Sequence, residues 1–362
     1  MIEAIRNLLE GEVGRSFGAA QACVFAGGAL VHESAHGGHG GLRTDARTLF
    51  DVSSLTKVVA TTTLVYRMAS RGELSFDDVV GRWFPEAASR DVPLRALLGH
   101  RSGLPAWAPL FVAPQGVLAA ALGVAPEVPV GARRLYGDIN FILLGAVLER
   151  IANRPLDRLF ADEVAAPLGL RHTAFRRIPA RMPLEGSRLA VAPTGDRRPR
   201  WPAPGQEGSH VAGPPVEDAG EVDDDNAWAM GGVAGHAGLF STARDVARWA
   251  EALHAEREGA GVLGRAEVLA EMLGAAGGEA LGFDRPSAAG SSAGGIVGRQ
   301  GPLGAIGHLG FTGCSVWMDL DRRWSIVLLT NRVHPDRKND SIRSLRPRFH
   351  DAVAGELLRG LQ

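Results

Sequence analysis

The sequence predicts an α+β fold, with a central antiparallel β-sheet flanked by helices, built by the N- and C-terminal portions of the chain and interrupted by a mainly α-helical insertion. Three observations predict it. Apolar and β-branched runs cluster at residues 20–32 and again at 305–333, and helical periodicity fills the middle of the chain. With 362 residues the chain exceeds the roughly 250–300 at which one core stops growing, so two portions sharing an interface are expected. On this reading residues 1–52 and 225–362 carry the sheet, 53–224 form the mainly helical portion, and an active site lies in the cleft between them.

The elements follow in order. The start, MIEAIRNLLEGEVG, mixes acids with apolar residues and reads as an amphipathic helix. AQACVFAGGALVH, residues 20–32, reads as two short strands broken by Gly27-Gly28, a hairpin opening a sheet. The next stretch, residues 32–48, is turn-rich; His32, His36 and His39 lie in it without a carboxylate or thiolate at ligand spacing, so no metal is expected. From Ser54 to Arg71 an unbroken helical pattern runs to Gly72, which suits a C-terminal cap. A connector follows at 72–86, then helices at 141–153 and 156–166.

Residues 193–225 are rich in Pro, Gly and charge and read as a linker or a lid. Thr242 and Asp245 resemble a capping box that starts the helix ARDVARWAEALHAE. A Gly/Ala/Ser-rich loop spans 274–300. AIGHLGFTGCSVWMDL and WSIVLLTNRV, joined by Asp321-Arg322-Arg323, read as an antiparallel strand pair, and a helix at 345–361 closes the chain.

Composition narrows the function. A net charge of −1 and a pI near 6.8 give no electrostatic reason to expect nucleic acid or an anionic membrane as partner, so a small molecule or peptide fits better. No stretch approaches the roughly 18 apolar residues of a membrane span, and the first residues lack the basic-then-apolar pattern of an export signal. Cys23 and Cys314 are the two cysteines, and reduced buried thiols in a cytoplasmic protein are the expectation. The 39 basic residues include just two lysines, Lys57 and Lys338, and the chain has two tyrosines, Tyr66 and Tyr136. A chain that otherwise uses arginine for positive charge keeps a lysine where the proton has to be lost.

Ser54-Leu55-Thr56-Lys57 places a hydroxyl and an amine one helical turn apart on one face. A serine hydroxyl needs a neighbouring base to become a nucleophile, and burial is expected to lower the Lys57 pKa toward neutrality so that it serves as that base. The apolar run after Lys57 implies a buried helix. Tyr136-Gly137-Asp138 precedes the helix INFILLGAVLERIA; Tyr136 suits proton relay to the leaving group, and Asp138 suits orienting substrate or the lysine. Taken alone, Tyr136 suits partly buried packing better than catalysis, and its scarcity and its company shift that balance. His308-Leu309-Gly310-Phe311 lies next to the C-terminal hairpin, where alternation sends His308 and Gly310 to one face. Gly310 is expected to let substrate approach the strand, and a strand N–H to join that of Ser54 in an oxyanion hole. His100, His236 and His254 are read as structural.

Together these motifs resemble the serine β-lactamase and penicillin-binding-protein superfamily, in its class C-like branch of β-lactamases, D-aminopeptidases, carboxypeptidases, esterases and acyltransferases. Besides SLTK, the segments LLGHRSGLP (97–105), YGDINFILLGAVLERI (136–151), PLGLRHT (167–173), GGVAGHAGLFSTARDVARW (231–249) and GHLGFTGCSVW (307–317) are similar to family signatures, in the expected order. The resemblance implies a β-lactamase/transpeptidase-like fold and a serine hydrolase acting through an acylated Ser54. It assigns Lys57 as base, Tyr136 as proton relay and His308-Leu309-Gly310 as the substrate-docking strand; Asp138 and Phe311 are expected to bind substrate beside it, and no cofactor is expected. Two departures stand out: the family's tyrosine motif commonly ends in asparagine where Asp138 stands, and the docking strand of classical β-lactamases begins with lysine where His308 stands. They favour esterase-like or peptidase activity over efficient β-lactamase action. Acyl transfer from the same acyl-enzyme, and a non-catalytic module that binds cell-wall peptides, remain open alternatives.

Overall fold

The computed structural model describes residues 2–178, 190–194, 199–200, 211–212, 220–274, 279–299 and 301–360. Its strands are β1 (Ala19–Ala26), β2 (Ala29–His39), β3 (Leu42–Arg43), β4 (Phe50–Asp51), β5 (Ala174–Phe175), β6 (Pro199–Arg200), β7 (Val211–Ala212), β8 (Leu239–Ser241), β9 (Ala305–Leu309), β10 (Ser315–Asp319) and β11 (Trp324–Thr330). Its helices are α1 (Ile2–Glu10), α2 (Thr63–Arg71), α3 (Leu94–Leu98), α4 (Val117–Leu122), α5 (Asp138–Ala152), α6 (Leu156–Phe160), α7 (Ala166–Leu168), α8 (Asp225–Ala229), α9 (Ala243–Arg257), α10 (Ala266–Leu273) and α11 (Ile342–Arg359).

The main sheet runs β3-β2-β1-β11-β10-β9, antiparallel throughout, and joins the two ends of the chain where β1 pairs with β11. Side-chain alternation explains why both central strands carry apolar residues on both faces: Cys23, Val327 and Leu329 enter the large core shared with the helical portion, while Ala22, Val24, Ile326 and Leu328 enter a second core. That second core holds Ile5 and Leu9 of α1 and Leu345 and Phe349 of α11, so helices cover both faces. A small sheet, β4-β8-β5, leads the chain out of the main sheet and into the helical portion, ending β4 three residues before Ser54. No described helix is long and apolar enough to cross a membrane.

The α+β layout, the opening hairpin, the N-terminal helix and the Gly72 cap, at φ 75°, agree with the sequence reading. Thr242 caps α9 by accepting the Asp245 N–H at 3.3 Å. Three expectations change. The stretch 32–48 is not all turn, since β2 continues to His39, and His32 and His36 are buried with both rings bonded to the Ser34 hydroxyl. The expected strand pair is three strands, because residues 310–314 turn the chain back between β9 and β10. The helix after Ser54 is not uniform: Lys57–Thr62 form a wide π-type turn, in which the Thr63 hydroxyl reaches the Val58 carbonyl at 2.9 Å. Most of the Pro/Gly-rich excursion at 193–225 lies outside the described residues.

Candidate active site

Ser54, the candidate nucleophile, follows a turn whose geometry is set locally. β4 ends at Asp51, Val52 donates to Leu239 O at 3.1 Å, and Ser53 adopts the left-handed region at φ 50°. That conformation disfavours any residue with a Cβ, and the Ser53 N–H bonded to Asp51 Oδ1 at 2.8 Å helps hold it. Ser54 therefore projects into a cleft of about 830 Å³. One turn on, Lys57 is fully buried and donates to Ser54 Oγ at 2.8 Å, Asp138 Oδ1 at 2.7 Å and the His236 carbonyl at 3.3 Å. An ammonium, which only donates, suits this ring of oxygen partners.

This arrangement corrects the expected protonation of Lys57. Burial pulls its pKa down, but the Asp138 carboxylate and the Tyr136 phenol outweigh burial and hold the amine above its ordinary value. Asp138, expected to touch substrate or lysine, is committed to the lysine. It is the first residue of α5, where the helix N-terminus favours negative charge.

Tyr136 comes to the pair through its loop. Leu135 N donates to His100 O at 2.8 Å, Gly137 N to His100 Nδ1 at 3.1 Å and Asp138 N to Ala106 O at 3.0 Å. Gly137 is required because a Cβ there would stand 2.9 Å from Ala106 O. The tyrosine ring lies between His100, at 4.6 Å between centroids, and His308, at 5.7 Å. Its hydroxyl hydrogen-bonds with Ser54 and Lys57. The ring edge is open, with 38% of the residue exposed, yet burial around the hydroxyl raises the phenol pKa against the lowering pull of Lys57.

The facing wall is edge strand β9 and the turn after it. His308 is buried and donates through Nδ1 to Leu309 O at 2.8 Å; burial lowers its pKa, and the Asp284 carboxylate opposes this. Gly310 does not share the strand face of His308, because β9 ends at Leu309. A Cβ at Gly310 would meet Val52 O at 2.6 Å, so the glycine allows close packing against the Ser54 turn, and it also lines the cleft. Gly310 N–H is taken by Cys314 O at 2.7 Å, whereas Phe311 N–H points to the nucleophile turn and reaches Ser53 Oγ at 3.2 Å. Phe311 N–H is therefore the N–H of this segment that faces the turn carrying Ser54. Its ring is half exposed, with Arg332 and Arg337 over it at 4.4 and 4.6 Å.

Several cleft residues escaped sequence reasoning. His100 aligns Tyr136, and His236 holds Lys57 through its carbonyl while its Nε2–H meets Asp224 Oδ1 at 2.8 Å. His254, also read as structural, is remote and bonds Trp324 O. At the far end of the cleft, Arg332 and Arg346 are buried against backbone carbonyls, and Lys338 and Arg343 are exposed. None of these four forms a close ion pair with a carboxylate among the described residues, although the Asp223 and Asp340 charges pull the Arg332 pKa up against burial. The RxxR spacing of Arg343 and Arg346 at the start of the last helix was the available signal, because it places both on one helix face.

A sequence model of the family described as Beta-lactamase matches residues 4–346. A protein of Escherichia coli (strain K12) named "Putative D-alanyl-D-alanine carboxypeptidase" is 29% identical over 227 residues, covering 55% of this chain and 49% of the relative, so the match spans about half the length of that protein. "N-acetylmuramyl-L-alanine amidase" of Bacillus subtilis (strain 168) is 26% identical over 377 residues, covering 92% of this chain and 81% of the relative. The solved structure described as "EstCE1, a hydrolase with promiscuous acyltransferase activity" superposes with a TM-score of 0.71 at 21% identity, covering 98% of both chains, and shares the fold.

Proposed function

Because this chain belongs to the Beta-lactamase family, we propose that it is a serine hydrolase that cleaves an ester or amide through an acyl-Ser54 intermediate. The observation that carries the reading is the line of contacts from Ser54 Oγ through Lys57 Nζ, at 2.8 Å, to Asp138 Oδ1, at 2.7 Å. As Ser54 Oγ attacks the substrate carbonyl, its proton passes to Lys57 while Lys57 passes one of its own to Asp138. The bond to the leaving group then breaks as the Tyr136 phenol donates its proton, Lys57 reprotonates the phenol, and Asp138 returns its proton to Lys57. Water attacks the acyl-Ser54 carbonyl by the same relay run in reverse, and the acid product leaves. A half-buried carboxylate as final acceptor lets a lysine that rests protonated still act in the relay.

The substrate class follows from the walls. Trp107 and Phe311 offer exposed aromatic faces at the cleft, which suit an acyl or leaving group with apolar surface. The four cations at the far end suit a carboxylate two or more bonds beyond the scissile carbonyl, as in a peptide or amino-acid derivative. The relatives named as carboxypeptidase and amidase point the same way. Cys23 and Cys314 are both free and buried, with burial pushing the thiols up to about 12 and about 11, which suits the reducing cytoplasm as the place of action.

Incubation with a fluorophosphonate followed by peptide mapping tests the proposal. One label on Ser54, absent in Ser54→Ala together with all turnover of p-nitrophenyl esters and D-amino-acid peptides, is expected. A Ser54→Ala variant that retains turnover sinks it.

A further inference from the structure

We infer that Asp51 is a positioning residue for the nucleophile: its buried carboxylate ties the Ser53 turn that presents Ser54 to the 222–224 segment on the other side of the cleft. The inference rests on Ser54 being the nucleophile. Asp51 ends β4 and is 2% exposed. Its Oδ1 accepts Ser53 N–H at 2.8 Å and its Oδ2 accepts Asp223 N–H at 2.8 Å, while its carbonyl accepts the Thr312 hydroxyl at 2.7 Å. One residue thus fastens the nucleophile turn, the segment leading into α8 and the turn between β9 and β10.

The tie reaches the catalytic pair from two directions. Along the chain, Ser53 holds φ 50°, a conformation a serine adopts only where its surroundings fix it, and Ser54 follows. Across the cleft, Asp223 adjoins Asp224, which receives His236 Nε2–H, and the His236 carbonyl in turn receives the Lys57 ammonium. Loosening the Asp51 carboxylate would therefore let Ser54 and Lys57 drift apart. Asp51 touches neither substrate nor reacting atoms, so its effect falls on acylation rate and not on substrate affinity.

The groups facing Asp51 are Asp223 and Asp224 from the segment before α8, Arg337 paired with Asp223, and Cys314 against the Asp51 carbonyl. Burial pushes the Asp51 carboxyl up to about 7; the Asp223 N–H pulls it down, the Asp223 charge raises it, the Ser53 N–H lowers it and the Asp224 charge raises it again. Above neutrality both oxygens accept; below it one oxygen carries a proton that opposes an N–H. The acylation rate should then climb with pH through about 7, by roughly tenfold from pH 6 to pH 8, the change in ionised fraction of one such group.

The experiment measures the rate of fluorophosphonate labelling of Ser54 from about pH 6 to pH 8 in the wild type, Asp51→Asn and Asp51→Glu, with thermal melting to show each variant folded. The wild type should show the rise. Asp51→Asn, which accepts one N–H and opposes the other, should label roughly tenfold or more slowly at pH 8 with no rise, since it mimics the protonated carboxyl. Asp51→Glu should keep the rise at a lower rate, and KM for an ester substrate should stay unchanged in both. A flat wild-type profile overturns the inference without any variant. So does a folded Asp51→Asn that keeps the wild-type rate and rise, or, should that variant not fold, an Asp51→Glu that labels as fast as the wild type. A wild type that carries no label on Ser54 refutes the nucleophile assignment instead.

Discussion

Replacing Asp138 with asparagine isolates the electrostatics on which the proposed chemistry depends. The Asp138 carboxylate stands 2.7 Å from the Lys57 amine, and the two side chains are 20% and 0% exposed. At that distance two unit charges attract by about 6 kcal/mol at an effective dielectric constant of about 20, and by about 1.5 kcal/mol at that of water, about 80. At about 1.36 kcal/mol per pH unit, losing the charge lowers the titration point of Lys57 by roughly 1 to 4.5 units. Burial, which pulls the same way, is then unopposed from this side. The chain has just two lysines, so NMR of isotope-labelled lysine gives two resonances, and Lys338→Arg assigns them. The Lys57 resonance of Asp138→Asn should titrate at lower pH than in the wild type. Its acylation rate at neutrality should fall by about 10²–10⁴ and recover as pH rises, because the amine no longer hands a proton on and has to lose one beforehand. A wild-type Lys57 that titrates near neutrality, or an unshifted Lys57 in Asp138→Asn, would refute the relay.

Gly310→Ala places a Cβ 2.6 Å from Val52 O, so the nucleophile turn has to move, and kcat should drop by about 10²-fold, with a smaller loss of thermal stability than a buried large-to-small change brings; kcat and melting temperature measured together check it. Arg343→Glu reverses one of the unpaired cations at the far end of the cleft and should raise KM about tenfold for carboxylate-bearing substrates while leaving neutral p-nitrophenyl esters unaffected. His350 and His254 are buried with pKa values pushed down by burial to about 3 and about 4 from 6.5. The native state therefore binds fewer protons than the unfolded chain between those values and 6.5, so stability is intact above pH 6.5 and lost as pH falls below it. Each histidine removes about 2 kcal/mol by pH 5, and denaturant melts of His350→Gln should show a shallower fall than the wild type over that window, with His32, His36, His100 and His308, also pushed down by burial, contributing to the slope that remains.

The sequence by itself determined the layout of strands at both chain ends with helices between and the Ser54–Lys57 spacing, because those follow from periodicity within a few turns of chain, while the π-type turn after Ser54, the length of β2 and the third strand of the C-terminal portion were decided by the folded chain. It also singled out Tyr136 and His308, through scarcity of residue type and order of motifs. What it did not determine was charge. Whether Lys57 rests as amine or ammonium depends on Asp138, 81 positions away, and on the His236 carbonyl, 179 away, so burial alone gave the wrong sign. Gly310 was read for substrate because strand alternation ignores where the strand ends, and its packing partner Val52 lies on an element no local pattern links to it. The Asp51 tie was hidden for the same reason: a carboxylate beside apolar residues is an ordinary strand end until Asp223 closes over it. Local interactions are written in neighbouring residues, whereas the protonation and strain of a site are sums over groups that only the folded chain brings within a few ångströms.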